Sequence, residues 1–540
     1  MTILWSWKLP SAPLSWSWSW SWSRRLGLAR HEYELLPNGH GASPASERPG
    51  PTTPTTRGRT TKGPRPDWQR RWAGILLTAL PWSLLALVLF LPVLRHGHPP
   101  NPAADLEVCP AAPPQDHPQQ QAQEQPPPSY AAYHAYERAL PQHTHTHPHP
   151  HPPQDALPKM LWFDNHGSHF GWGNYMQEMI LNAYLAHAAG RAYVWDNYTW
   201  SRDGPEISDW NGHRIPARIP LSALIAGPIV GGEAPGGSPR AVSREWYFEV
   251  CTDEQRVKLD TCKFDAEWDQ AGGEPPNALQ IVERWVAELR GIDAPCVEMA
   301  WGTPALFSYE LTNDARVLPI FPSLSASPIL SSLRWSPLIQ GAFLSNAHHF
   351  GFGLTPHLAL TAVDDPLAPI RGLLVLHIRR GDYVEWCPGA LANGITYVGF
   401  NRFPELPDRS PGVREDGALA HCLPEVEEVV RKVRSVLRLR DAEAKREVRQ
   451  VYIMTNAHPP WLAQLVVALR AGALPEGVGI STSRDLSLSW EAKFVSQAVD
   501  MLVGQRAEMF IGNGYSSLTG NIVMLRMHNE RLDPKDTRFW

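Results

Sequence analysis

Leu373–Asp382 reads LLVLHIRRGD. Its first six residues, Leu373–Ile378, are apolar without alternation, the pattern of a strand buried on both faces in a parallel sheet. Two arginines follow at the strand's carboxyl end. An unpaired guanidinium there is costly, so Arg379 and Arg380 need anionic partners, and their forked donors match phosphate oxygens in bidentate fashion. Gly381 lets the backbone turn close to a ligand. The structural alternative is an Arg380–Asp382 ion pair that ties the loop. Neighbouring strand residues point to opposite sides, so one arginine faces a ligand while the other meets Asp382. Arg379 is read first for the ligand, and Arg380 is kept as a second candidate.

Outward from this stretch, the pattern alternates. Helices are expected at Glu425–Leu439, Trp461–Leu469 and Trp490–Arg506, strands at Val451–Met454 and Met509–Ile511, and a last helix from Ser517. Upstream, Asn174–Ala189 reads as a helix, Arg191–Trp195 as a short strand and Asn277–Arg290 as an amphipathic helix. Strands alternating with helices predict an α/β chain with doubly wound parallel sheets, whose ligands bind beyond the carboxyl ends of the strands. A second strand–loop–helix junction, FIGNGYSS (Phe510–Ser517), fits that rule. Backbone N–H groups at a helix start attract anions and a serine hydroxyl adds a donor, unless Ser516 or Ser517 only caps the helix. Asp500, just before that strand, is either a solvated carboxylate or an acceptor for the N–H edge of guanine. At Phe170–Asn174 (FGWGN) two glycines open a helix, for a phosphate contact or a tight turn; neither GxGxxG nor GxxxxGK[ST] is present there.

The chain has 540 residues, a net charge of -5, and 53 prolines, 27 of them within residues 1–160. The length suits two or three domains. With 49 basic against 54 acidic residues, nothing points to a nucleic-acid partner, and collagen, coiled-coil and disulfide-miniprotein classes fail on composition. Trp72–Leu94 is a 23-residue stretch without charge, long enough to span a bilayer. Eleven Lys and Arg precede it; after it comes Arg95, then none until Arg138. The positive-inside rule then predicts a type II protein of the Golgi or ER membrane. Its parts are a disordered cytosolic tail (1–71, with Ser-Trp alternation from Ser15), a single-pass membrane anchor (72–94), a disordered Pro/Gln/His-rich stem (95–158) and a lumenal remainder. His143, His145, His147, His149 and His151 alternate with Pro and Thr, which gives no fixed geometry for a metal. All six cysteines lie on the lumenal side, where disulfides persist; their 15 possible pairings stay open. The sequon Asn197-Tyr198-Thr199 fits a lumenal glycoprotein.

The run HIRRGD, the segment Ser496–Arg526 (SQAVDMLVGQRAEMFIGNGYSSLTGNIVMLR) and the FGWGN start together resemble the GDP-fucose-dependent fucosyltransferase superfamily, most of all its protein O-fucosyltransferase-like branch. The resemblance implies a GT-B-like architecture: an N-terminal Rossmann-like domain at 159–365 on the acceptor side and a C-terminal one at 366–540 that binds the GDP-sugar, facing a cleft. It implies an inverting, metal-independent glycosyltransferase that moves fucose from GDP-fucose to a hydroxyl of a protein or glycan acceptor, with no cofactor besides that donor. In this reading Arg379 contacts the donor phosphates and His377 lines the donor site. Asp500 reads guanine, Ser516 and Ser517 hold phosphate, and Asn174 belongs to the N-terminal glycine motif. Glu385 and Asp382 are the candidates for a catalytic base, because relatives with a glutamate in the glycine motif find Trp172 here. Two alternatives remain: a glycan-directed α1,2-type enzyme, and an inactive lectin-like or scaffolding membrane protein that keeps the fold.

Overall fold

The computed structural model describes residues 125–143, 157–210, 213–270, 274–352, 365–409, 417–443 and 447–540. The expected tail and membrane anchor lie outside them. Among the described residues, no helix is long and apolar enough to cross a membrane. The first sheet takes β1 (Met160–Phe163), β2 (Ala192–Trp195), β3 (Val242–Ser243), β4 (Val257–Leu259) and β5 (Cys296–Met299) in the order β3-β2-β1-β5-β4. The second takes β6 (Ile370–Ile378), β7 (Gln450–Thr455), β8 (Gly479–Thr482), β9 (Ala507–Gly512) and β10 (Thr537–Phe539) in the order β8-β7-β6-β9-β10. Every pairing in both sheets is parallel, as the unalternating apolar run of β6 implied. Of the first sheet, the sequence reading located only β2. Strands as short as MLWF in β1 and CVEM in β5, fully buried, carry too few residues for a periodic signal.

The helices of the described residues include α1 (Ala131–Arg138), α2 (Trp172–Ala188), α3 (Ala278–Arg290), α4 (Tyr383–Ala392), α5 (Val426–Ala442), α6 (Pro459–Gly472), α7 (Ser496–Arg506) and α8 (Ser517–His528), with shorter ones between them. Helix α3 starts where its sequence caps it: Asn277 accepts from the Gln280 N–H at 3.0 Å, and the Gln280 side chain accepts from the Asn277 N–H at 2.9 Å. The helix expected over 490–506 is broken. A short helix ends at Lys493, and Val495, with φ -125°, leaves helical geometry before α7 begins. Helices α2 and α8 are buried along most of their length and cross in direct backbone contact. Asn521 Nδ2 donates to the Gly173 carbonyl at 2.7 Å. A Cβ on Gly173 would stand 2.6 Å from Ser517 Oγ and 2.8 Å from the Leu518 nitrogen; one on Gly520 would stand 2.8 Å from Gln177 Nε2. At Gly173, where the near atoms include backbone, only glycine fits; at Gly520 the Gln177 side chain would have to shift.

Part of the expected stem is ordered. Residues 125–143 lie as a strap across the fold, although their composition reads as disordered. The reason is a few well-placed anchors. Tyr130 is buried and its hydroxyl donates to the Glu491 carbonyl at 2.8 Å, while Trp490 Nε1 donates to the Pro126 carbonyl at 2.8 Å. Gln142 Nε2 reaches the Gly231 and Ala241 carbonyls at 3.1 and 2.9 Å. Buried Glu137 accepts from the Ser222 N–H, and burial pushes its carboxyl up to about 7. His143, the one member of the histidine series among the described residues, is stacked between Trp195 and Trp246, and its Nε2 meets the Ser243 N–H at 3.0 Å. Two disulfides form, Cys251–Cys296 and Cys387–Cys422; Cys262 is a half-buried thiol and Cys109 lies outside the described residues. The sequon does not serve as expected: Asn197 and Thr199 are buried, and Asn197 Nδ2 bonds Glu245 at 3.3 Å. The folded chain therefore offers no glycan acceptor there.

Gly173→Ala should cost about 1–3 kcal/mol through overpacking against α8, seen as a lower melting temperature in calorimetry. A fragment starting at residue 159 should melt below one starting at residue 125; equal melting would show that the strap adds nothing.

Candidate active site

Strands β6 and β9 are neighbours at the point where the strand order of the second sheet reverses, the place where such sheets bind ligands. Beyond their carboxyl ends opens a cavity of about 490 Å³. Its wall includes Gly171–Asn174 at the start of α2, Ser516–Leu518 at the start of α8, His377 and Arg379 from the end of β6, and Asp500 from α7. The α2–α8 crossing brings two helix N-termini to one space. No side chain caps either helix, so Ser516 is not spent as a cap. Each terminus carries partial positive charge and free N–H donors. Arg379 adds a full charge. Together they suit an anion with several oxygens, such as a diphosphate.

The two arginines part company. Arg379 lines the cavity, and its Nε and Nη2 donate to Asp382 at 3.2 and 2.7 Å while its guanidinium lies 4.6 Å over the Tyr383 ring. Arg380 points the other way. It donates to both carboxylate oxygens of Glu425 at 2.7 and 2.8 Å and stacks 4.6 Å over Trp461, and it does not line the cavity. The donor-binding assignment of Arg380 is not matched by this geometry: just beyond the end of β6, its guanidinium is taken up by Glu425, the Pro424 carbonyl and the Trp461 ring. The expected Arg380–Asp382 pair is likewise replaced by Arg379–Asp382. Asn456, unnoticed in the sequence, pins this loop. Its Oδ1 accepts from the Arg380 and Gly381 N–H groups at 2.8 and 3.0 Å, and its Nδ2 donates to Asp382 at 3.1 Å. Its place just beyond the end of β7 was the signal that could have found it.

His377 is buried, with Nδ1 2.6 Å from Thr519 Oγ1. Burial, and then the charge of Arg379, lowers its pKa to about 3, so the ring is neutral. Asp500 lines the cavity and accepts from the Tyr452 hydroxyl at 2.7 Å; burial raises its carboxyl to about 7. Asn174, Ser516 and Ser517 also line the cavity. So six of the seven expected donor-binding residues meet in one space.

A side chamber of about 240 Å³ adjoins it, sharing Gly171, Asn174, Trp200, Arg379 and Ser517. Neither proposed base stands ready there. Glu385 is exposed on α4 and lines neither space; it lies two residues, roughly 200° of helix, from the inward-facing Tyr383. Asp382 borders the chamber, but its carboxylate is committed to Arg379 and Asn456 and acts as their positioning group. Trp172 is buried against Tyr175 and Tyr198. Among the described residues, no group of three or more His, Cys, Asp or Glu is placed to hold a metal.

No protein-family model matches the chain, and no curated protein matches it by sequence. Among solved structures, the fold is similar to POFUT1 in complex with GDP-fucose, at a TM-score of 0.43 and 12% identity, over 72% of this chain and 99% of that one. It is also similar to the NodZ alpha-1,6-fucosyltransferase soaked with GDP-fucose, at a TM-score of 0.30 and 12% identity, over 68% of this chain and 92% of that one. A mutant of Arabidopsis thaliana FUT1 in complex with GDP matches at a TM-score of 0.30 and 10% identity, over 69% of this chain and 70% of that one.

Arg379→Ala should weaken binding of inorganic pyrophosphate by about tenfold or more, as expected for the loss of charge-assisted bonds worth roughly 1.5–3 kcal/mol. Arg380→Ala should leave that affinity alone while lowering the melting temperature. Calorimetric titration of both variants checks the assignment; equal losses would contradict it.

Proposed function

We propose that the chain is a glycosyltransferase that moves fucose from GDP-fucose to an acceptor hydroxyl. The observation that carries this reading is the convergence of Arg379 and the N-termini of α2 and α8 on one cavity that also holds Asp500. A departing GDP develops negative charge on its β-phosphate while the sugar becomes oxocarbenium-like. A guanidinium and two helix termini fixed beforehand stabilise that state more than the ground state, which lowers the barrier. Asp382, itself bonded by Asn456, holds the guanidinium in place, so little reorganisation is needed. The positive charge at the phosphates comes from the chain's own groups, in keeping with a metal-independent reaction; the inverting course rests on the motif resemblance. Asp500 accepts from the N1–H and N2–H edge of guanine, which adenine lacks. The two sheets and the cavity between their helices fit a GT-B-like arrangement, with the acceptor entering from the side of residues 159–365.

The motif resemblance favours protein O-fucosylation, with a glycan acceptor of the α1,2 type as the alternative. In the cell, Trp72–Leu94 anchors the chain as a type II membrane protein with the catalytic part in the Golgi or ER lumen. The two disulfides suit that oxidising compartment. The misplacement of Glu385 and the commitment of Asp382 argue against either carboxylate as the base, and they are the observation on which a further reading, an inactive protein that keeps the fold, would rest.

With the Asp500 carboxyl near 7, its ionised fraction rises between pH 6 and 8, and only the carboxylate accepts fully from guanine. The ratio of GDP to ADP affinity should therefore climb several-fold over that interval, and stay flat in Asp500→Asn; titration at three pH values checks it. Arg379→Ala should abolish fucose transfer from labelled GDP-fucose in a chain that still folds. Full activity in that variant would remove the proposed role, and failure of millimolar GDP to raise the melting temperature would remove the nucleotide site.

A further inference from the structure

An acceptor hydroxyl gives up its proton as it attacks, and a base placed beside it speeds that step. The side chamber is where such a hydroxyl meets the phosphate corner, since Arg379, Asn174 and Ser517 border both spaces. Its titratable groups are few. Arg379 is a cation, and Asp382 is held by Arg379 and Asn456. The Tyr383 hydroxyl donates to the Tyr515 carbonyl at 2.9 Å, and burial keeps the phenols of Tyr309, Tyr383 and Tyr515 above their ordinary pKa. The remaining group is His169, on the loop from β1 to α2.

His169 is held by its backbone rather than by its ring. Its N–H donates to the Thr199 carbonyl at 3.2 Å, and the next carbonyl, of Phe170, accepts from the Tyr198 hydroxyl at 3.0 Å. Among the described residues its imidazole enters no hydrogen bond, ion pair or ring contact. It also has φ 64°, a left-handed conformation uncommon in residues with a side chain, which persists where surroundings impose it and clusters at functional sites. The other ionisable groups of this loop region are turned inward: His166 to Asp196 at 3.1 Å, and Glu178 to the Gly167 N–H at 3.1 Å.

We propose that His169 is the catalytic base of the transfer, an inference that rests on the fucosyltransferase reading above. The acceptor oxygen forms a bond to C1 of fucose. The bond from C1 to the β-phosphate oxygen breaks, and its electron pair leaves with GDP. The hydroxyl proton passes to a ring nitrogen of His169, which later yields it to water. Imidazole suits this task because one ring nitrogen can take a proton while the other keeps its own.

The test uses GDP-fucose with water as acceptor, and azide as a nucleophile with no proton to lose. His169→Ala and His169→Gln should slow GDP release to water by about 100-fold or more and erase the fall in rate at acid pH. GDP affinity should be unchanged, and azide should restore GDP release with formation of fucosyl azide. Variants that release GDP to water at the full rate with the original pH profile would overturn the assignment. So would variants that lose rate without azide rescue, which is the result of a merely structural role. A wild-type chain that binds no GDP would overturn the donor reading itself, a failure seen before any variant is compared.

Discussion

Helices α2 and α8 touch backbone to backbone, and the site depends on that contact. At Gly173 a single added carbon would collide with the backbone of the partner helix, and at Gly520 it would displace the Gln177 side chain. Asn521 then ties the crossing with a buried hydrogen bond, whose loss would leave polar groups unsatisfied inside the fold. Because the crossing lies one residue from the α8 start and within the first turn of α2, both positive helix ends share one space. Close packing at one point thus becomes electrostatics at the next.

A similar economy governs the arginine loop. A guanidinium beyond a buried strand would be a liability without partners. Here Asp382, itself bonded by Asn456, holds Arg379 from one side and the Tyr383 ring lies against its guanidinium, so it is fixed before any ligand arrives. The neutral His377 beneath avoids a second positive charge at the same spot. Arg380 balances Glu425 on the opposite face and joins the loop to the start of α5. One local sequence, two adjacent arginines, serves a ligand space and a structural pair at once.

The strap of residues 125–143 extends the same logic across the fold. It takes hydrogen bonds from Trp490 in the second half of the chain, and places Glu137 and His143 among residues of the first. Its anchors are four or five side chains within a polar, proline-rich stretch. Averaged composition hides them, since disorder rules weigh the whole window rather than its few buried members.

What the sequence by itself determined is the class of fold and the neighbourhood of the site. The unalternating run Leu373–Ile378 could be buried only between other strands, and the glycine–serine junction at Gly512–Ser517 could only open a helix. These are local properties of consecutive residues. Tertiary structure alone decided which arginine faces the cavity, that Glu385 stands outside it, that Asn197 is buried, and that His169 and Arg379 border one chamber. Each of these depends on groups far along the chain, such as Glu425 and Asn456, at separations of 45 and 76 residues from Arg380. No window of neighbouring residues contains that information, because side-chain roles are set by what packs against them.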